Sequence, residues 1–252
     1  MTRRSELGLA FVGSVGLGLF AWSDAHASLA RNAAGPKNMG EEGVWVVDTA
    51  GEVGTEPDGN AWNFETGAQY QVGSRLQILG EAIVFEQLNP DSGESSSGFG
   101  DLDLTLSWLA SFGQGALPAV VPAFKVKLPT SSSDEGTGEV DYSALLILEK
   151  EYGELALNAE TEYAWIGSPS DEPLNDQFIY TFTVEYGLSN LLAVYVEAFG
   201  NSAPTDLESR TDAALVGAEF DILDSDTMTP YLSVEYDTEE VGVARAGVEF
   251  VW

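Results

Sequence analysis

Apolar and polar residues alternate with a period of two through most of the chain. The pattern is clearest at 62–72, where Trp62, Phe64, Thr66, Ala68, Tyr70 and Val72 share one face and Asn63, Glu65, Gly67, Gln69 and Gln71 the other. Successive side chains of a strand point to opposite sides, so this spacing describes a strand with one oily face. It recurs at Leu102, Leu104, Leu106 and Trp108, and again at Leu155, Leu157, Ala159, Thr161, Tyr163 and Trp165. Phe178, Tyr180, Phe182, Val184 and Tyr186 repeat it, as do Leu232, Val234 and Tyr236, and finally Ala244, Ala246, Val248, Phe250 and Trp252. No stretch beyond residue 42 holds a helical period. The predicted strands are 43–50, 61–72, 75–86, 99–110, 118–129, 139–151, 154–166, 176–186, 190–200, 211–221, 229–237 and 243–252. Most have close to the roughly 9–11 residues that a tilted strand needs to cross a bilayer. The weakest are 43–50, 75–86, where the alternation slips near Ile78-Leu79, and 118–129, where Pro122 implies a bulge or a strand start.

The connections alternate in length. Those at 51–60, 87–98, 130–138, 167–175, 201–210 and 238–242 are longer and more polar, while Gly73-Ser74, Tyr152-Gly153 and Gly187-Leu188-Ser189 are tight. Long loops at one end and short turns at the other describe an outer-membrane barrel with both termini on the periplasmic side. A soluble sandwich or periplasmic ligand-binding barrel would also alternate, with its oily face turned inward. The aromatics decide between them. Trp62, Tyr142, Trp165, Phe178 and Tyr236 fall near one set of strand ends and Tyr70, Trp108, Tyr152, Tyr186 and Trp252 near the other, the heights of two interfacial girdles. The expected fold is therefore all-β: a transmembrane antiparallel β-barrel of about 12 strands.

Export fits that reading. Residues 1–27 have the form of a signal peptide: Arg3 and Arg4, an apolar run from Leu7 to Trp22, then Ala25-His26-Ala27 before Ser28. Residues 28–42 read as a flexible N-terminal stretch and 43–252 as the barrel. The chain has no Cys, and its one His, His26, lies in the segment expected to be removed. Disulfides, Cys/His zinc sites and His-assisted catalysis are then excluded, so no catalytic, metal or cofactor-binding residue is expected and an enzyme is a poor fit. The net charge of −31 excludes nucleic acid as a partner.

The stretch Gly98-Phe99-Gly100-Asp101-Leu102-Asp103-Leu104, with Lys125-Val126-Lys127-Leu128-Pro129-Thr130 further on, resembles the outer-membrane proteins grouped as the "Putative MetA-pathway of phenol degradation" family. That resemblance implies a barrel transporter that passes small hydrophobic or aromatic compounds. The polar Ser131-Ser132-Ser133-Asp134-Glu135 loop departs from the Gly-Asp-like corner more usual there. The closing Val248, Phe250 and Trp252 resemble the terminal-strand signal read by the barrel assembly machinery, which is thus an expected partner.

With the oily faces in lipid, the opposite faces line the lumen. Asp101 and Asp103, then Lys125 and Lys127, then Asp141, Glu149 and Glu151 fall on three successive strands, an expected ion-pair ladder. Arg245 is expected to face Glu235 and Asp237, while Glu160 and Glu162 add to an acidic lumen that favours cations. The expected function is passive passage of small solutes through a narrow acidic path, with a plugged structural barrel as the alternative. Loop acids (Asp91, Glu94, Asp134, Glu135, Asp171, Glu172, Asp206, Glu208) face solvent or, through divalent cations, lipopolysaccharide.

Overall fold

The computed structural model describes residues 42–56, 59–90, 95–132, 138–168, 174–189, 191–203, 210–220, 228–237 and 242–251. The signal peptide expected at 1–27, nearly all of 28–42, Trp252 and the eight loop acids named above lie outside the described residues. Within them all regular structure is strand: β1 (Trp45–Glu56), β2 (Gly59–Val72), β3 (Leu76–Pro90), β4 (Ser96–Gly98), β5 (Leu102–Trp108), β6 (Ser111–Phe112) and β7 (Ala119–Leu128). There follow β8 (Asp141–Tyr152), β9 (Leu155–Trp165), β10 (Gln177–Ser189), β11 (Leu192–Asn201), β12 (Thr211–Phe220), β13 (Met228–Asp237) and β14 (Gly242–Val251).

Twelve of these close into one antiparallel ring. Its order is β2-β1-β14-β13-β12-β11-β10-β9-β8-β7-β5-β3, and β3 pairs with β2 to complete it. β4 is a short addition to β3, and β6 one to β7. The seam between first and last strands runs from Val46↔Val251 to Thr55↔Gly242. Closure leaves no open sheet edge, the condition a sheet must meet in hydrocarbon.

The distribution of side chains is the inverse of a soluble protein. Phe64, Leu104, Leu106, Phe182, Leu232 and Val234 are exposed on the outside, whereas Glu65, Gln71, Gln77, Gln177, Thr183 and Glu197 point inward and are each at most 2 % exposed. Because β-strand side chains alternate strictly, the period-two pattern forces this sorting once the sheet closes. Both predicted aromatic girdles lie on the outer surface, Trp165, Phe178 and Tyr236 at the long-loop end and Trp108, Tyr152 and Tyr186 at the other. Gly73 (φ 69°) and Gly153 (φ 62°) supply the left-handed backbone of two tight turns at that second end.

Two local expectations are corrected, where strands end and where the alternation breaks. β1 continues past residue 50 to Glu56, so the long connection expected at 51–60 shrinks to the two residues between Glu56 and Gly59. The outward Gly51, Val53 and Thr55 form too weak an oily face for periodicity to register. β3 and β10 likewise overrun their predicted ends, to Pro90 and Ser189. The alternation does not slip at Ile78-Leu79: Ile78 faces out and Leu79 in. The break comes later, where Phe64 pairs with Phe85 and Glu65 with Ile83, leaving Val84 as the extra residue of a bulge. The bulge expected at Pro122 is present: across it the register against β7 shifts by one, from Ser107↔Ala123 to Ser111↔Val120, so that the three residues 108–110 face Val121 and Pro122. The ladder is interrupted there, so a residue lacking N–H is tolerated.

The bulge explains the Gly-Phe-Gly-Asp stretch. Gly100 N–H donates to Ile83 O at 2.9 Å, and a Cβ on Gly100 would lie 2.7 Å from that of Ile83. Only glycine fits. From there Asp101 Oδ1 accepts Ser131 N–H at 2.9 Å, and Ser132 N–H donates to Phe99 O at 3.0 Å. The motif is a corner that ties 99–101 to 130–132, at the mouth where Asp101 and Lys127 meet.

Placing charge on the outer face tests this geometry. Phe182→Arg, at mid-strand, is expected to destabilise the folded state by about 2–4 kcal/mol in vesicles, measured by reversible denaturant unfolding. An inward Thr183→Ser control is expected to cost well under half of that.

Candidate functional site

Among the described residues three basic side chains point into the barrel: Lys125 and Lys127 on β7 and Arg245 on β14. Each organises a separate set of carboxylates.

On the wall formed by β5, β7, β8 and β9, Lys127 Nζ lies 2.5 Å from Asp141 and 3.7 Å from Asp101. It is bracketed by one acid from each side, and Asp103 is its direct partner in register on β5. Lys125 does something that counting adjacent strands misses. It passes over Ser143, its small register partner on β8, and places Nζ 2.9 Å from both carboxylate oxygens of Glu162 on β9. Lys125 is 9 % exposed and Glu162 3 %. Two charges so far from water persist because each is paired and hydrogen-bonded. Glu160 stands two residues before Glu162 on the same inward face, opposite Ile147 and Thr181. Glu149 also points inward but lies lower on β8, opposite Ala119 and Asn158, away from the two lysines in register; Glu151 is exposed at the short-turn end.

Arg245 departs from expectation. Its register partner on β13 is Ser233, with Glu235 opposite Val243 further along. Its ion pairs run across the seam, to Glu52 on β1 at 3.1 Å and to Glu65 on β2. Glu52 is its direct partner there. The pairing was hidden because Glu52 fell in a predicted loop. Beside it Tyr231 Oη donates to Asp48 Oδ1 at 3.0 Å, and Asn63 Nδ2 to Glu52 Oε2 at 3.5 Å.

The third wall, β10 to β13, contains no Lys or Arg within its strands. Inward Glu185, Glu197, Glu219, Glu235 and Asp237 make it the acidic side of the lumen; Thr183 Oγ1 donates to Glu197 Oε2 at 2.6 Å. Glu235 belongs here rather than with Arg245. Two interior patches that alternation alone did not single out are apolar. One consists of Leu109, Ala119, Val121 and Ile147, the other of Tyr195, Phe199, Ala213 and Leu215. Their signal was oily residues in the inward phase of otherwise polar-in strands. Val248 and Phe250 are in the outward phase of β14, opposite Pro230 and Met228.

The family described as "Putative MetA-pathway of phenol degradation" matches residues 81–240. Among solved structures, the COG4313 outer membrane channel from Pseudomonas putida F1 is similar with a TM-score of 0.68 and 12 % identity, over 84 % of this chain and 96 % of that one. The NanC porin follows at 0.59 and 12 %, over 81 % and 98 %. The KdgM porin, solved in complex with disordered oligogalacturonate, gives 0.57 and 13 %, over 81 % and 98 %. At these identities the likeness is one of fold. No curated protein matches the chain.

The Lys125–Glu162 pair can be weighed by a double-mutant cycle. Lys125→Met alone leaves a buried carboxylate and is expected to cost about 3–5 kcal/mol in unfolding free energy. Lys125→Met with Glu162→Leu is expected to recover most of that loss.

Proposed function

The chain belongs to the "Putative MetA-pathway of phenol degradation" family, and from that premise and the charge of its interior we propose that it is a narrow outer-membrane channel for passive passage of small solutes. The observation that carries the reading is the inverted barrel: an oily, girdled exterior around an interior of carboxylates, amides and hydroxyls. Such a ring sits in lipid and offers polar groups a way through it. Its place would be the outer membrane of a Gram-negative-type bacterium. Its surroundings would be phospholipid and lipopolysaccharide, reached through the barrel assembly machinery for which Val248, Phe250 and Trp252 are the proposed signal.

Selectivity follows from where the cations are spent. The three inward basic groups are each engaged by carboxylates on β5 to β9 or across the seam. The β10–β13 wall adds acids without adding bases, so the lumen is net negative and favours cations. Twelve strands enclose a narrow bore, between the filled small barrels and the open porins. The patch of Tyr195, Phe199, Ala213 and Leu215 gives this wall an apolar floor beside its acids. Small solutes with an aromatic or hydrophobic body and no net negative charge suit it best, in line with the family's description.

A second reading, a structural barrel with a plugged lumen, draws on the near-complete burial of inward side chains such as Gln71 and Gln177. Conductance separates the two. In planar bilayers with a KCl gradient, the channel is expected to show small discrete steps and a reversal potential of cation-preferring sign. Asp237→Asn is expected to shift that potential toward zero. Anion preference would sink the acidic-path reading, and complete silence at high voltage would leave the plugged barrel.

A further inference from the structure

Eleven of the twelve contacts around the ring join strands that neighbour one another along the chain. The seam does not: Thr55 and the Gly242 carbonyl it bonds are 187 residues apart. Period two cannot set the register there. A slip by one residue would turn oily side chains into the lumen and is excluded, but a slip by two keeps every side chain on its proper face. Something else must distinguish the observed alignment from its even-numbered neighbours, and the interior of the seam holds it.

Five side chains from four strands meet across that line. Arg245 on β14 pairs with Glu52 on β1 at 3.1 Å and reaches one strand further to Glu65 on β2. Tyr231 on β13 passes over β14 to donate to Asp48 on β1 at 3.0 Å. The ring can cross because its partner in register on β14 is Gly247, where a Cβ would lie 2.5 Å from the Tyr231 ring. The Arg245 guanidinium sits 5.7 Å from the same ring's centre, joining the two contacts into one network. Asp48, Glu52, Glu65, Tyr231 and Arg245 are all buried, none more than 7 % exposed.

The division of groups is one-sided. All three carboxylates belong to the first hairpin, β1–β2, and both of their partners to the last, β13–β14. Before closure the first hairpin carries three inward acids with no base on its own strands. Arg245 arrives only with β14. We propose that this network is a closure latch: it selects the register in which β14 docks on β1, and it holds the ring shut. A two-residue slip would move Arg245 from Glu52 toward Gly54 or Ala50, and would carry Tyr231 away from Asp48, leaving buried carboxylates without their cation. The cost of unpaired buried charge then falls on every wrong alignment.

Refolding separates closure from other steps. Urea-unfolded protein is diluted into phospholipid vesicles. Tryptophan fluorescence follows insertion of the strands, and the faster-migrating unboiled gel band follows closure. Lys125→Gln breaks a pair of similar burial that lies wholly between β7 and β9, away from the seam, and is the control. Arg245→Gln is expected to insert at the normal rate but to lag in closure by about tenfold or more, while the control lags by no more than about twofold. Tyr231→Phe, which removes one hydroxyl and keeps the packing over Gly247, is expected to show a smaller lag in the same direction. Equal lags in Arg245→Gln and the control would overturn the proposal, as would closure of Arg245→Gln in step with insertion. Should Arg245→Gln not fold while the control does, Tyr231→Phe decides: a lag confined to closure supports the latch, and none overturns it.

Discussion

A backbone amide or carbonyl in hydrocarbon has no water to turn to, and each one left unpaired costs several kcal/mol. That constraint explains why this chain is a ring. A sheet pairs all of its inner strands, but only closure pairs its first with its last. β1 and β14 meet over ten register pairs, from Val46↔Val251 to Thr55↔Gly242. Once the ring is closed, alternation leaves no further choice. One side of every strand faces lipid and is oily, and the other faces the enclosed space. The deviations occur where the ladder itself is interrupted. Val84 is extruded as a bulge, Gly100 packs against that bulge with no room for a side chain, and Pro122 lies where the register against β7 shifts by one residue.

Enclosure creates a second problem, because polar side chains packed inside a ring this narrow have little water. Lys125, Lys127 and Arg245 are few against the acids they meet, and each is shared between strands rather than spent on one neighbour. Lys125 skips β8 to reach Glu162, Lys127 joins Asp101 to Asp141 across β7, and Arg245 serves β1 and β2 together. A pair reaching beyond the adjacent strand ties together three strands that backbone hydrogen bonds join only two at a time. Small residues make these crossings possible. Ser143 lies beneath Lys125 and Gly247 beneath Tyr231.

The strand count, the closed antiparallel order and the sorting of faces were legible in the sequence, because lipid exposure imposes a strict period of two on the outward side. Strand ends were less so. β1 was cut short at residue 50 because Gly51, Val53 and Thr55 make a thin oily face, and that one omission hid Glu52 and with it the true partner of Arg245. The Lys127 bracket between Asp101 and Asp141 could be read, since all three lie on adjacent predicted strands. The Lys125–Glu162 pair could not be assigned, as it spans a strand that sequence reasoning treats as a barrier. The inward apolar patches escaped for a related reason. Leu109, Val121, Tyr195 and Phe199 occupy the phase expected to be polar, and only the enclosed geometry shows that they touch one another.

The same geometry separates holding from passing. A carboxylate committed to a buried cation is satisfied and offers little to a solute, since displacing the pair would expose two desolvated charges at once. By that argument Glu162, Asp141, Glu52 and Glu65 belong to the wall. Any path for a solute then runs past β10 to β13, whose strands carry acids, hydroxyls and aromatic rings but no base. Net charge alone would have described the whole interior as uniformly acidic. It is the distribution of the three inward cations among twelve strands that leaves one wall with acids and no base of its own.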